Sequence, residues 1–354
     1  MRKIRAEIHL GNIRRNAETF SALTGKKLCA VVKANAYGHG AEEVVNALNG
    51  VADCFAVALL DEAIAIRGCV CGKDILIFTP PLSEEEVYLA TSDGFVLSVS
   101  DLWTAKLIAS TCAKHGLQAR VHLKINTGMN RYGMNLSMLG KVCTFFRNNP
   151  FVRVEGIYSH LYECAYETAN TQRELFVRAV NVCKRYFPTV ISHLSATYGA
   201  LLGQEFAFDM VRIGIGLYGY LPVGEANAKN GVSVLPTLEK GMTVYAAVAA
   251  TRKYSHGGMG YGKTPEGPKP KRLHLCRFGY ADGFLRRKDN GTTGAEENVN
   301  ALCMDVCIRN GGGKRGRFLP VMTDADGTAK ETGTISYEVL CAATRRAEFV
   351  YDNE

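Results

Sequence analysis

From residue 11 to about residue 222, short apolar runs alternate with stretches whose apolar residues recur every three or four positions. The short runs fall at residues 28–33, 54–58, 75–78, 95–99, 119–125, 154–160, 190–194 and 210–213. Runs of this length bounded by polar turns read as buried strands, and the period near 3.6 reads as amphipathic helix. In residues 101–114, for example, Leu102, Ala105, Ile108, Ala109 and Cys112 share one face; in 172–187, Leu175, Phe176, Ala179, Val180 and Cys183 do so. Strands alternating with helices in this way predict an α/β fold, a parallel (β/α)8 TIM-type barrel rather than an open doubly wound sheet.

After Pro222 the helical period fades. β-rich runs follow at 242–254, 272–278, 298–308 and 318–321, separated by glycine-rich turns, and predict a C-terminal mostly-β domain. Residues 1–10 alternate charged and apolar side chains like a half-buried strand, which we assign to that domain. The expected division is residues 11–224 for the barrel and 1–10 plus 225–354 for the β domain. The loop Gly311-Gly312-Gly313-Lys314 lacks the Ser/Thr and following helix of a phosphate-binding loop, so a hairpin turn is expected there.

The 354 residues suffice for a barrel with a smaller second domain, and 47% hydrophobic with 21% charged residues suits an ordinary soluble enzyme. A net charge of +8 without a Lys/Arg block argues against nucleic acid and leaves room for an anionic cofactor. The 12 cysteines are irregularly spaced and form no Cys-x-x-Cys pair, which predicts buried free thiols in a reducing compartment and no metal site. No run resembles a signal peptide or reaches membrane-spanning length, so a cytoplasmic protein without a membrane partner is expected.

Candidate chemistry starts at Ala30-Val31-Val32-Lys33-Ala34-Asn35-Ala36-Tyr37-Gly38-His39-Gly40, where an apolar run ends on a lysine and leads into a helix-like segment. An ammonium at a buried strand end is poorly solvated, which lowers its pKa and suits the amine to a Schiff base with an aldehyde. The alternative is a lysine snorkelling to water. Barrel active sites gather at the C-terminal mouth, and Lys33, Lys124, His160, Ser195 and Arg212 all fall at or just after predicted strand ends.

Several further segments lie in order along the chain: Leu123-Lys124-Ile125-Asn126-Thr127-Gly128-Met129-Asn130-Arg131, Ser159-His160, Met210-Val211-Arg212-Ile213-Gly214-Ile215, Gly279-Tyr280-Ala281-Asp282-Gly283, Leu302-Cys303-Met304-Asp305 and Ile335-Ser336-Tyr337-Glu338. With the lysine segment, this set resembles the alanine racemase family, pyridoxal 5'-phosphate (PLP) enzymes of the barrel-plus-β-domain type. The resemblance covers nearly the whole chain. It implies an isomerase that interconverts L- and D-alanine by two-base proton exchange. Lys33 would hold PLP as a Schiff base and act on the D-enantiomer. Tyr261, from the other subunit, would act on the L-enantiomer. Tyr37, Thr197, the backbone of Gly214 and Ile215, and Tyr337 would hold the phosphate. Arg212 would face the pyridine nitrogen, His160 would bridge Tyr261 and Arg212, and Lys124 would be carbamylated. Arg131 and the Met304 amide would hold the substrate carboxylate, with Met304 and Asp305 reaching in from the partner of a head-to-tail homodimer. By the same resemblance the product would suit cell-wall synthesis.

Those roles make physical sense. Lysine and tyrosine both titrate at about pH 10 when unperturbed, so each must be lowered to act near neutrality. Burial helps lysine but hinders tyrosine, so the field of Arg131, Arg212 and His160 must outweigh burial at Tyr261. Arginine at 212 cannot accept a proton, so a ring nitrogen beside it stays unprotonated and the ring is a weak electron sink, which suits proton exchange and disfavours side reactions.

The chain departs from the family pattern at several positions. Asn126 stands for a usual aspartate, Ala196-Thr197 for Asn-Ser, and Ala301 for an arginine near the entrance. Residues 161–165 and Arg346-Ala347-Glu348 also differ. Tyr337 should crowd the side-chain pocket, favouring alanine over serine or a broader range. A PLP-dependent decarboxylase and a non-catalytic PLP-binding protein are the alternatives from other classes.

Overall fold

The computed structural model describes residues 4–163, 165–221, 235–260, 271–285, 299–311 and 313–352. Strand β1 (Ile4–His9) precedes eight strands that form one sheet: β2 (Lys27–Val31), β3 (Cys54–Val57), β4 (Asp74–Ile77), β5 (Val96–Val99), β6 (Ala119–Lys124), β7 (Val152–Tyr158), β8 (Ile191–His193) and β9 (Met210–Ile213). The spatial order is β8-β7-β6-β5-β4-β3-β2-β9, with every neighbouring pair parallel. Asp209 N–H donates to Ser192 O and Arg212 N–H to Ser195 O, each at 3.0 Å, drawing β9 toward β8 and closing the circle. The fold is the expected parallel barrel. Every residue of β5 and β9 is buried, the mark of strands covered on both faces, which is why their sequences are apolar on both faces apart from Ser98 and Arg212.

The helices between the strands are punctuated by local chemistry. Helix Leu102–His115 starts where the Asp101 carboxylate accepts from Thr104 N–H at 2.7 Å and stops at Gly116 with φ 65. Such an N-cap contributes about 1 kcal/mol. Helix Tyr166–Lys184 buries Phe176, Ala179, Val180 and Cys183, the stripe read from the sequence.

The second sheet contains β1, β10 (Met242–Lys253), β11 (Arg272–Cys276), β12 (Val299–Leu302), β13 (Cys307–Asn310), β14 (Phe318–Met322) and β15 (Glu348–Asp352). Its order is β12-β13-β11-β10-β1-β15, with β14 also on β10. β1 lies antiparallel to β10 and parallel to β15, so the N-terminal strand does join the C-terminal sheet.

Three expectations need correction here. Residues 298–308 are not one strand: β12 and β13 pair antiparallel about a reversal at Cys303-Met304-Asp305-Val306, closed by Cys303 N–H to Val306 O at 2.8 Å. The glycine loop after Asn310 is no hairpin either, because β13 pairs with β11 while β14 pairs with β10. Finally, this region is less purely β than its texture suggests, since it carries helices Ala325–Thr332 and Ser336–Ala343. Each is only 8 residues long, too short for a periodic stripe to stand out.

Helix Ser336–Ala343 packs against the segment after β2. A Cβ on Gly38 would come within 2.4 Å of Leu340 O, and Gly38 has φ 81, so only glycine fits there. Every described cysteine is a free thiol, but not all are buried as expected: Cys71 and Cys341 are exposed. Among the described residues no helix is long and apolar enough to cross a membrane.

Candidate active site

Strand β2 ends at Val31, and Lys33 follows at the mouth of the barrel. The segment after Lys33 was expected to be helix-like; it turns with the opposite hand. Ala34, Asn35, Ala36 and Tyr37 have φ of 52–53, a full turn of left-handed backbone. For residues with a Cβ this conformation costs roughly 1–2 kcal/mol each. The surroundings hold it in place. Ala34 N–H donates to Glu62 Oε1 at 2.6 Å, Ala41 N–H to Asn35 Oδ1 at 2.8 Å, and Ala36 N–H to Val32 O at 2.9 Å. His39 Nδ1 lies 3.0 and 3.1 Å from the carbonyls of Ala36 and Tyr37. The result brings Lys33 and Tyr37 to the same cavity.

That cavity has a volume of about 780 Å³ and lies at the C-terminal mouth. Lys33, Tyr37, Lys124, Arg131, His160, Thr197, Arg212, Gly214, Ile215 and Tyr337 all line it. Residues from five strand ends, those of β2, β6, β7, β8 and β9, and from helix Ser336–Ala343 therefore converge on one space. Ser195, the other polar residue at a strand end, does not line it: its hydroxyl donates to Phe206 O at 2.7 Å inside the core. Met304 and Asp305 lie away from the cavity of their own chain, on the β12–β13 reversal. Tyr261 lies outside the described residues.

One side of the cavity is a cradle of hydroxyls and small backbone. Thr197 Oγ1 accepts from Gly216 N–H at 3.1 Å, and the Tyr37 and Tyr337 rings sit 5.8 Å apart. Burial pushes the Tyr37 phenol well above its ordinary value, so it remains a donor. A Cβ at Gly214 would come within 2.5 Å of Tyr37 Oη.

The floor is cationic. Arg212 is buried, and Nη2 donates to Ser159 O at 2.7 Å and Leu194 O at 2.9 Å, while Nη1 donates to His193 Nδ1 at 2.9 Å. Of five N–H donors, one on Nη1 and the one on Nε are left for whatever the cavity holds. Burial pushes the guanidinium down to about 10, so it still carries its charge at neutral pH. His160 Nδ1 lies 3.3 Å from Arg212 Nη2. Burial, and then Arg212, hold His160 well below its ordinary value, so the ring is neutral and its Nε2 bears the proton. Lys33 is lowered by burial and next by Arg131, against the opposing pull of Glu62.

Sequence reasoning missed Tyr158, His193 and Glu62. Tyr158 and His193 are single polar residues within apolar strand runs, and that interruption was the available signal. Sequence reasoning named Arg346 only as a departure from the family pattern and missed its role: Nε donates to Asp282 Oδ1 at 2.6 Å and Nη2 to Asp305 Oδ1 at 2.8 Å. That clamp ties the two short motifs around Asp282 and Asp305 together.

Two family models match the chain: "Alanine racemase, N-terminal domain" over residues 8–222 and "Alanine racemase, C-terminal domain" over residues 241–351. Among curated relatives, the alanine racemase of Chlorobaculum tepidum is 32% identical, over 96% of this chain and 93% of the relative. That of Streptococcus pneumoniae is 33% identical, over 98% and 97%. Among solved structures, alanine racemase of Clostridium difficile 630 in complex with cycloserine superposes with a TM-score of 0.85 at 26% identity, over 99% of this chain and 96% of the other. The biosynthetic alanine racemase of Pseudomonas aeruginosa does so with a TM-score of 0.85 at 27% identity, over 99% and 100%.

Proposed function

This chain belongs to the alanine racemase family, and from that premise we propose that it interconverts L- and D-alanine with PLP held by Lys33. The observation that carries the reading is the meeting of a lysine of lowered pKa, a hydroxyl cradle and a buried arginine in one cavity.

The residues present fit the cofactor. Tyr37, Thr197, Tyr337 and the backbone of Gly214 and Ile215 offer hydrogen-bond donors to a dianion without adding a titrating group. Tyr37 Oη closes on Gly214 so tightly that a Cβ there would come within 2.5 Å of it, which keeps the phenol beside the Gly214 backbone. Arg212 has spare N–H donors and, among the described residues, no carboxylate partner, which suits an unprotonated pyridine nitrogen. Bound there, PLP supplies an aldehyde that captures the substrate amine and a ring that takes up charge when the α-proton leaves.

The rest is work for the chain's own side chains. The Lys33 amine takes or returns the α-proton on one face, and its lowered pKa keeps it unprotonated nearer neutrality. Tyr261 of the partner subunit serves the other face. His160, with its proton on Nε2, donates toward that phenol oxygen and, with Arg212 behind it, favours the phenolate. Arg131 and the partner's Met304 amide hold the substrate carboxylate, and Tyr337 limits the side chain to a methyl group. The barrel, residues 11–224, thus carries the cofactor, while residues 1–10 plus 225–354 complete the site of a partner in a head-to-tail homodimer.

The rim supports that assembly. Leu59, Leu82 and Trp103 follow the ends of β3, β4 and β5 and are 52%, 72% and 57% exposed. Large apolar side chains around a polar mouth fit coverage by a second copy. The reversal bearing Met304 is exposed as well.

The test is chiral conversion of L-alanine by PLP-loaded protein, with Lys33→Ala and Tyr261→Ala each inactive. Mixing and refolding the two variants should restore about a quarter of wild-type activity, since half the dimers pair one intact site with one doubly altered site. Carbon dioxide in place of D-alanine would point to a decarboxylase, and no turnover by a folded, loaded chain would end the proposal.

A further inference from the structure

Strand β6 alternates along the barrel axis. Arg120, His122 and Lys124 share one face, with Arg120 at the N-terminal end and Lys124 at the mouth. Between the two ends, His122 Nδ1 lies 2.9 Å from His193 Nε2, and His193 Nδ1 lies 2.9 Å from Arg212 Nη1. Both imidazoles are buried.

Donor counting orders this chain. Arginine has only donors, so His193 Nδ1 must accept. A neutral His193 then carries its proton on Nε2 and donates it to His122 Nδ1. His122 in turn carries its proton on Nε2. It also lines a second cavity of about 440 Å³ at the opposite end of the barrel, with Asp74, Arg120 and Glu155. Burial pushes His122 down to about 3 and, with Arg212 next, holds His193 well below its ordinary value, so both rings are neutral and the direction of donation is single.

We propose that His122 is a positioning residue for Arg212, acting through His193: it fixes the tautomer that lets Arg212 keep its remaining N–H donors on the ring nitrogen of the cofactor. Without an acceptor at His122 Nδ1, the Nε2 proton of His193 is buried with no partner. The other tautomer would set an N–H of His193 against an N–H of Arg212.

The barrel is shaped around this arrangement. Gly156 pairs with His122 across β6 and β7, where the register slips by a bulge at Val121/His122. A Cβ on Gly156 would come within 2.6 Å of three atoms of the His122 ring. On the other side the Tyr158 ring stacks on His193, with centroids 4.9 Å apart and planes 2° off parallel. Ser98 Oγ donates to Ile77 O at 2.6 Å and receives the Tyr158 hydroxyl at 2.6 Å, which holds that ring in place. The plane of His193 is thus set by one neighbour and its tautomer by another.

The inference rests on the proposed placement of the ring nitrogen against Arg212, but its first test does not. Long-range 1H–15N spectra of 15N-histidine-labelled full-length protein without PLP should show His122 and His193 as Nε2–H tautomers, unchanged from about pH 6 to about pH 9. A proton on His193 Nδ1 would overturn the proposal, and this spectrum decides the matter even if a variant does not fold.

In PLP-loaded protein, His122→Leu should shift the 15N resonance of the cofactor ring nitrogen and lower kcat about tenfold or more, with KM for alanine within about threefold. His122→Asn, whose Oδ1 takes the place of Nδ1, should restore both to within about threefold of wild type. A folded His122→Leu protein with wild-type ring resonance and kcat would refute the positioning role. A ring resonance that ignores Arg212→Met would instead refute the placement of Arg212, and with it the reach of His122 to the cofactor, while the tautomer result stands.

Discussion

Lys124 Nζ lies 4.3 Å above the centroid of the Tyr158 ring, buried at the mouth end of β6. Burial, then the charges of Arg212 and Arg131, hold its pKa well below the ordinary lysine value. Among the described residues, the ring face is the attractive partner for an ammonium there.

A buried neutral amine is the form that captures carbon dioxide, and a carbamate would place a negative charge among those arginines. Protein equilibrated with 13C-bicarbonate should show a carbamate carbonyl resonance that is missing from Lys124→Met. Its absence in wild type would mean that the amine stands unmodified against Tyr158.

Schiff-base formation at Lys33 should report its lowered pKa. The rate of pyridoxal addition to cofactor-free protein requires the neutral amine, so it should rise with pH and reach half its plateau below 10.5. Arg131 is the second cause of the lowering, and its positive charge disfavours the ammonium. Arg131→Met should therefore move the rising limb to higher pH. An unmoved limb would leave burial as the whole cause.

Gly214→Ala should weaken cofactor binding without unfolding the barrel. The added methyl group would come within 2.5 Å of Tyr37 Oη and push the phenol out of the cradle. The dissociation constant for PLP should rise about tenfold or more, equivalent to at least about 1.4 kcal/mol. Absorbance titration measures it, and unaltered affinity would remove Tyr37 and Gly214 from the phosphate site.

Arg212→Glu reverses the charge on the floor of the proposed cofactor site and would let a carboxyl group share a proton with a ring nitrogen there. Racemisation should fall by about 10²- to 10³-fold, the scale seen when one electrostatic partner of a reaction is lost. Side reactions should rise, since a protonated ring holds charge longer. Conversion of bound PLP to its amine form during turnover with alanine measures the second effect. A variant that kept its rate would show that Arg212 does not touch the ring.

Much of the scaffold could be read in advance. The eight barrel strands announce themselves because strands covered on both faces are mostly apolar, and local composition reports that burial. Lys33, Tyr37, Arg212 and Gly214 stand in contiguous motifs, and all of them line one cavity. The two strands hidden in residues 298–308 were run together because a four-residue reversal containing Met304 leaves the apolar texture nearly unbroken.

What chain order alone determined is which stretches form strands and helices, and which reactive side chains end up at strand ends. Those properties follow from neighbouring residues and their periodicity. Tertiary structure decided the left-handed turn after Lys33, which depends on Glu62 and Asn35 holding strained backbone. It also decided the pairing of His122 with His193, 71 residues apart, and of Arg346 with Asp282 and Asp305. These are contacts between polar groups far apart in sequence that meet only in the folded chain. At His122 and His193 the energy comes from satisfying buried donors and acceptors, and no local pattern records which distant partner will do so.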